Sequence, residues 1–260
     1  MSEPKIPFLD AIRRGDLRTA MSIVSCLGIE DATPDLVESV FSACQAGWRH
    51  PDCEMADHEV KHPDIAHVVL RSGLHSGAYY NCPMVLRNAA LCMFMAKAIV
   101  HEMQASGINP CDFQWVAGSA TSAIGLSFAV ATLLGKNWHP LQKDPSDPKG
   151  KTQLWQKCAI PSGEVVLNVE ELTTTCGTPE AVQAAIRQAN PAVEFFGYTP
   201  VLIYRPADLA APNRAGDSII LPVLKIDVPN YERDNCPYCE AGSEAITDPK
   251  KDWAKLIGAA

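Results

Sequence analysis

The sequence predicts an α/β fold: a parallel sheet flanked by helices on both faces, preceded by a helical N-terminal extension. Three observations lead there. From about residue 63 onward, short apolar runs of strand length alternate with stretches of helical period, the pattern of a parallel sheet with crossover helices. Before that point the chain offers two helix-period stretches and then a polar segment, with no strand signal. Finally, the 260 residues are 47% hydrophobic and 20% charged, enough apolar surface for a sizeable core and too much for a disordered chain. The predicted organisation is therefore an extension over 1–62 and a larger domain over 63–260.

The elements follow in order. Phe8, Ile12, Leu17, Met21 and Val24 recur close to helical spacing, predicting one helix over 7–27. Thr33 and Pro34 form an N-cap and first-turn pair for a second helix ending near 44. The stretch 47–61 is rich in His and acidic residues and is predicted to be a loop. Residues 65–70 and 79–85 are β-like runs. Over 88–104, Leu91, Met95, Ile99 and Met103 mark one helical stripe. A strand then enters a small-residue loop near Gly118 and Ser119, and a helix follows over 124–134. The segment 144–151, rich in proline and charge, is predicted to be a flexible loop. Beyond it lie a strand over 164–169, a helix over 178–188, and strands over 201–204 and 218–226.

Charge and composition narrow the function classes. Lys plus Arg number 22 against 30 Asp plus Glu, a formal net charge of −8, which disfavours general nucleic-acid binding. The first residues lack a basic stretch followed by an apolar one, so no secretory signal is expected. The ten cysteines are scattered, which at this length favours reduced thiols packed as small core residues in a cytoplasmic protein. Residues 113–135 carry no charge and are long enough to span a bilayer. Gly118, Ser119, Thr121, Ser122, Gly125 and Ser127 crowd that stretch, so a buried strand, a turn and a buried helix are expected instead, with no membrane partner.

The segment richest in chemistry runs from Val165 to Thr178. An apolar strand ends in Glu170 and Glu171, and a turn holding Thr173, Thr174, Thr175, Cys176, Gly177 and Thr178 opens a helix. At the carboxyl end of a parallel strand, such a turn presents backbone N–H groups and hydroxyls, and the helix start favours an anion. Thr174 to Thr178 therefore suit a phosphate. Two carboxylates would repel it, so Glu170 and Glu171 suit sugar hydroxyls or Mg²⁺. The plainer reading is a solvated strand end with an ordinary helix cap.

This stretch resembles the phosphoribosyl-pyrophosphate motif of type I phosphoribosyltransferases, in which an apolar strand leads into two acids, two apolar residues and a Thr-Thr-Gly-Gly turn. Leu70-Arg71-Ser72-Gly73-Leu74-His75-Ser76, with Tyr79 and Tyr80, is similar to a Ser-Gly-x-x-Ser signature of the orotate phosphoribosyltransferases. The segment from Val116 to Leu126 matches their pyrophosphate loop. The tail from Val228 through Cys236-Pro-Tyr-Cys239 resembles a bacterial branch of that family. The likeness spans roughly 66–251 in the family's order.

The resemblance implies a type I phosphoribosyltransferase-like fold whose small hood comes from residues near 63–85 and the C-terminal segment. It implies an enzyme that joins orotate to the ribose 5-phosphate of phosphoribosyl pyrophosphate, giving orotidine monophosphate and pyrophosphate in pyrimidine synthesis, with Mg²⁺ as cofactor and a homodimer as the assembly. By position, Glu170 and Glu171 would face the ribose hydroxyls, with Mg²⁺ held there largely through substrate. Thr174, Thr175, Gly177 and Thr178 would cradle the 5-phosphate, and Arg71 and Arg205 would address orotate. Lys143 would be the basic group of the loop that covers pyrophosphate.

The sequence departs from the family at three places. Gln142 and Ser146 stand where many members carry cations, with Lys149 and Lys151 nearby. Ala120-Thr-Ser-Ala replaces a segment that commonly holds glycine or lysine. Cys176 stands where the phosphate turn has glycine, a costly exchange if that position needs a positive φ. Two alternatives thus stay open: transfer to a different base, or a non-catalytic nucleotide-binding regulator. Cys236 and Cys239 could supply half a zinc site, with Cys53, His58 or His62 as partners, although a single CxxC pair favours packed thiols. His75 and His139 are candidate acid–base groups, more ordinarily structural.

Overall fold

The structure is a computed structural model and describes residues 5–53, 59–70, 72–148, 150–210 and 213–258. Its centre is a parallel sheet. In spatial order the strands are Asn137–Trp138, Trp115–Ala117, the run Val165–Asn168 continuing as Glu170–Thr173, the run Glu194–Phe195 continuing as Tyr198–Tyr204, and Ser218–Lys225. Pairing along this series is parallel throughout, and Arg214–Ala215 adds an antiparallel edge. The Val169 N–H donates to the Ala117 carbonyl at 2.8 Å, so the third strand stays joined to its neighbour across its break. Counted along the chain, the order is 2-1-3-4-5, and it reverses between the first and third strands. In open parallel sheets the cleft for a ligand lies at that reversal, outside the carboxyl ends of the strands.

Alternation along the strands divides the core between the two faces. Val116, Leu167, Val169, Leu202 and Val223 pack with helices Ala89–Ala105 and Ile124–Leu134. Trp115, Ala117 and Val166 pack on the other face with Val182, Ala185 and Ile186 of the helix Gly177–Ala189. This period of two is what covers a parallel sheet on both sides. Among the described residues no helix is long and apolar enough to cross a membrane. The uncharged stretch 113–135 instead folds as strand, turn and helix, and Gly135 at φ 63° closes that helix.

The hood is a second sheet, ordered Asn230–Tyr231, His75–Ser76, His67–Val69, Ala245–Ile246. Its two inner strands form a hairpin from the first third of the chain, and both outer strands come from the tail.

Several elements differ from their sequence-based outlines. The helix expected over 7–27 is two helices, Lys5–Arg13 and Leu17–Cys26. Gly15 takes φ 68°, and the Asp16 carboxylate accepts the Thr19 N–H at 3.0 Å, capping the second. Residues 79–85 supply only the end of the strand Ala78–Tyr80, because Pro83 favours the first turn of a helix, Cys82–Leu86. The loop expected over 47–61 begins with a strand, Gly47–Arg49, that pairs with Ala78–Tyr80. The boundary at 62 divides the sequence and not the packing. Phe8, Val24 and Phe41 join one core with Phe94, Ile99 and Leu202, and the Phe8 and Phe94 rings lie 5.1 Å apart.

Candidate active site

A cavity of about 250 Å³ opens at the carboxyl ends of the sheet strands, beneath the hood. Glu171, Thr174, Thr175, Gly177, Thr178 and Arg205 line it together, with Tyr79, Cys82 and Lys250. Strand geometry explains the first of these. Successive side chains of Glu170–Thr173 point to opposite faces, so only one of the two acids can enter the cavity. That acid is Glu171. Burial raises its pKa, while hydrogen bonds to Cys82 and Ser122 and the charge of Lys250 oppose the shift.

Glu170 is the correction. Its carboxylate is almost wholly buried and does not line the cavity. It accepts the Ser119 N–H at 3.0 Å on one oxygen and the Ser119 hydroxyl at 2.7 Å on the other. Burial pushes it up to about 8, with the Ser119 hydroxyl working against the shift and the neighbouring Glu171 charge adding to it. Glu170 thus braces the small-residue loop after Trp115–Ala117. The Ala120 N–H of the same loop is bound by the Gln153 side chain at 2.9 Å. Gly118 is required there, since a Cβ would come within 2.8 Å of the Val169 carbonyl. Two amides that could have faced an anion are therefore already occupied, and of the loop's exposed residues Thr121 and Ser122, the second is bonded to Glu171.

The phosphate-type turn lies between Thr173 and the helix Gly177–Ala189. The first N–H groups of a helix have no partner within it, and here they open beside three threonine hydroxyls. Cys176 takes φ 62°, the left-handed conformation in which glycine is at ease. Its thiol packs with Val201, Tyr204, Ala215 and Ile220, and Cys176 is not part of the cavity wall. The substitution therefore loads the backbone and leaves the phosphate face open.

Arg205 follows directly on the strand Tyr198–Tyr204. It is 5% exposed, and its Nη1 donates to the Ser76 hydroxyl at 3.2 Å and to the Asn230 side-chain oxygen at 2.6 Å. Burial lowers its pKa to about 10, so it stays cationic at neutral pH. No carboxylate of the described residues pairs with it. A buried, uncompensated guanidinium on a cavity wall is a ready site for a planar anion.

Lys143 sits elsewhere. It lies on the hairpin Gln142–Lys143 and Gln153–Leu154, exposed, with its Nζ donating to the Gly150 carbonyl at 2.7 Å. It is absent from the cavity wall, although its charge is felt at Glu170. Arg71, Lys149 and His58 lie outside the described residues. The His139 Nε2 meets the Gln156 carbonyl at 2.6 Å, and among the described residues His139 does not line the cavity. Sequence reading missed Lys250, which no motif marks and which arrives only because the tail folds back over the sheet.

The fit to Mg²⁺ follows from the donor set. Both Glu170 oxygens already meet Ser119, so Glu170 does not fit as a ligand. Glu171 does, as a single carboxylate; Mg²⁺ is commonly held by one or two carboxylates with the remaining oxygens from substrate and water.

No family model matches the chain. Orotate phosphoribosyltransferase of Desulforamulus reducens is 28% identical over 183 residues, covering 69% of this chain and 86% of that protein. The protein of the same name from Thermus thermophilus is 29% identical over 180 residues, covering 68% and 88%. Among solved structures, orotate phosphoribosyltransferase from Aeropyrum pernix matches 73% of this chain and 93% of its own at 16% identity and a TM-score of 0.49. By sequence, the chain is a homologue of the orotate phosphoribosyltransferases.

Proposed function

We propose that the protein is an orotate phosphoribosyltransferase, moving the ribose 5-phosphate of phosphoribosyl pyrophosphate to the ring nitrogen of orotate. The observation that carries this reading is the meeting, in one cavity, of a hydroxyl-lined helix start with a buried, unpaired arginine. The first suits a phosphate on a sugar, the second a planar carboxylate. The names of the sequence relatives support the same assignment.

Pyrophosphate leaves the anomeric carbon through a cation-like transition state, so positioning and charge placement dominate the chemistry. Thr174, Thr175, Gly177 and Thr178 hold the 5-phosphate at one end of the sugar. Glu171 accepts hydrogen bonds from the ribose hydroxyls and places negative charge beside the ring as it turns cationic. Arg205, fixed by Ser76 and Asn230, keeps three further donors of its guanidinium for orotate. Lys250 on the cavity rim, and Lys143 on the hairpin, are the cations available to the departing pyrophosphate. Mg²⁺, when bound with substrate at Glu171, would neutralise charge on the leaving group. The family resemblance adds a cytoplasmic homodimer, whose assembly sedimentation would test.

Pure protein is incubated with Mg²⁺, phosphoribosyl pyrophosphate and orotate, and loss of orotate absorbance is followed together with pyrophosphate release. Coupled loss and release is the expected result. Turnover with another base alone would reassign the acceptor. A second reading, a non-catalytic binder, draws on the occupied Ser119 and Ala120 amides and on Lys143 lying off the cavity wall. Thermal stabilisation by phosphoribosyl pyrophosphate without any turnover would favour it.

A further inference from the structure

Away from the cavity, four side chains from opposite ends of the chain converge inside the hood. His67 and His75 face each other across the hairpin, with His67 Nε2 2.9 Å from His75 Nδ1. The Cys239 sulfur lies 3.5 Å from the first nitrogen and 3.4 Å from the second, and the Cys236 sulfur 3.8 Å from His67 Nε2. All four ligand-type atoms fall within 4.8 Å of one another. His67, His75 and Cys236 are buried.

The geometry points to a Cys₂His₂ site for one Zn²⁺, bound by His67 Nε2, His75 Nδ1, Cys236 Sγ and Cys239 Sγ. A tetrahedral zinc with ordinary Zn–S and Zn–N bonds places sulfur and nitrogen about 3.6 Å apart, which the three distances above straddle. The two nitrogens would open by about 0.4 Å to reach the corresponding spacing. Two thiolates with two imidazoles in a closed, water-poor setting are a structural zinc donor set.

The surrounding hydrogen bonds orient a ligand. Ser243 donates its hydroxyl to the Ile65 carbonyl at 2.7 Å, so it can only accept from His67 Nδ1 at 2.9 Å. That fixes the proton on Nδ1 and leaves the Nε2 lone pair aimed at the two sulfurs, as in metal-bound histidines whose other nitrogen donates outward. Cys236 caps the short helix Pro237–Glu240, and one turn of helix brings Cys239 round to the same side. The Tyr238 ring stacks on His67, 5.3 Å between centroids, and closes the site. The sequence offered other partners for this CxxC pair; His62 instead binds the Asp52 carboxylate at 2.9 Å.

Such an ion would tie the hairpin to the tail, two segments some 160 residues apart, at the point where they share a sheet. Its presence does not depend on which reaction the cavity catalyses.

The test is metal content and coordination of the full-length protein. After growth with added zinc and exhaustive dialysis, about one zinc per chain is expected by elemental analysis. Replacement by Co²⁺ should give thiolate-to-metal charge transfer and the intense visible bands of a tetrahedral ion. Both should vanish in Cys236→Ser/Cys239→Ser, and His75→Ala should lose the tetrahedral bands. Should the variants fail to fold, the wild-type Co²⁺ spectrum decides alone. A wild-type protein without stoichiometric metal and without Co²⁺–thiolate bands would overturn the site, as would a Cys236–Cys239 disulfide found by mass spectrometry in freshly purified protein.

Discussion

Arg205 donates to the Asn230 side-chain oxygen at 2.6 Å, and Asn230 returns its own amide to the carbonyls of Pro206 and Ala207, the two residues that follow that arginine. The pair locks the end of a central sheet strand to a hood strand contributed by the tail. Arg205 is thereby aimed before any ligand arrives, with little rotamer freedom left to lose on binding.

Replacing Arg205 by Ala should act mainly on orotate. Truncating one member of a buried charge-assisted pair costs on the order of 2–4 kcal/mol, or about 30- to 1,000-fold in kcat/KM. The change should appear as a raised KM for orotate, with the KM for phosphoribosyl pyrophosphate nearly constant. Asn230→Ala should do the same more weakly, since it removes aim and not charge. Steady-state kinetics with each substrate varied in turn checks both, and an effect confined to the donor substrate would move Arg205 out of the acceptor site.

Glu171→Gln should impair the donor side. The amide keeps the shape and one acceptor but removes the charge that faces the sugar, so kcat should fall by about 10- to 1,000-fold, the range of an electrostatic group near a developing charge. Circular dichroism should be unchanged. A rate equal to wild type would remove Glu171 from the site.

Much of this site was legible in the sequence because it is local. Glu171 through Thr178 form one strand–turn–helix unit, whose chemistry follows from consecutive residue types. The separation of Glu170 from Glu171 also follows from strand alternation, but which acid faces the cavity depends on which face the sheet covers, a non-local fact. The same limit applies to Asn230 and Lys250, which the tail brings to Arg205 and to the cavity wall respectively, whereas Arg205 itself was marked by the family resemblance. Helix limits set by residue chemistry, such as Pro34 at the start and Gly135 at the end, were readable. The break at Gly15 was missed although the spacing carries it: Leu17 lies nine residues after Phe8, half a turn out of phase with it, and Leu17 and Met21 are exposed while Phe8 is buried.

Cys176 carries strain without obstructing the phosphate turn. A non-glycine residue in the left-handed region costs about 1–2 kcal/mol, and a β-branched one more. Cys176→Gly relieves that strain while losing a buried thiol, so stability should stay within about 1 kcal/mol of wild type. Cys176→Val should lose about 2–3 kcal/mol and several degrees of midpoint, although it is the more apolar choice. Denaturant titration of both variants checks the order. A valine variant as stable as the glycine one would mean the turn relaxes out of the left-handed conformation.

The N-terminal helices share a core with the helix Ala89–Ala105 and should not be dispensable. Phe8 is fully buried against Phe94, and a Phe→Ala change at such a site costs about 3–5 kcal/mol. Phe8→Ala should therefore destabilise the whole protein in a single transition. Two transitions in calorimetry, with only the first shifted, would show the extension to unfold by itself.

Glu170 should make stability depend on pH in an unusual direction. Its folded carboxyl titrates near 8 against 4.5 for the ordinary group, because burial disfavours the charged form. Between those values the folded chain holds more protons than the unfolded one, so this residue's contribution falls as pH rises. The full effect is on the order of a few kcal/mol, complete only above the folded value. Glu170→Gln mimics the protonated side chain, keeps an oxygen for the Ser119 N–H, and does not titrate. Its thermal midpoint relative to wild type should therefore climb steadily from pH 5 to pH 8, most steeply where Glu170 would otherwise be ionised on unfolding. A constant difference across that range would mean that Glu170 is ionised in the folded protein throughout, with Ser119 and the Lys143 charge outweighing burial.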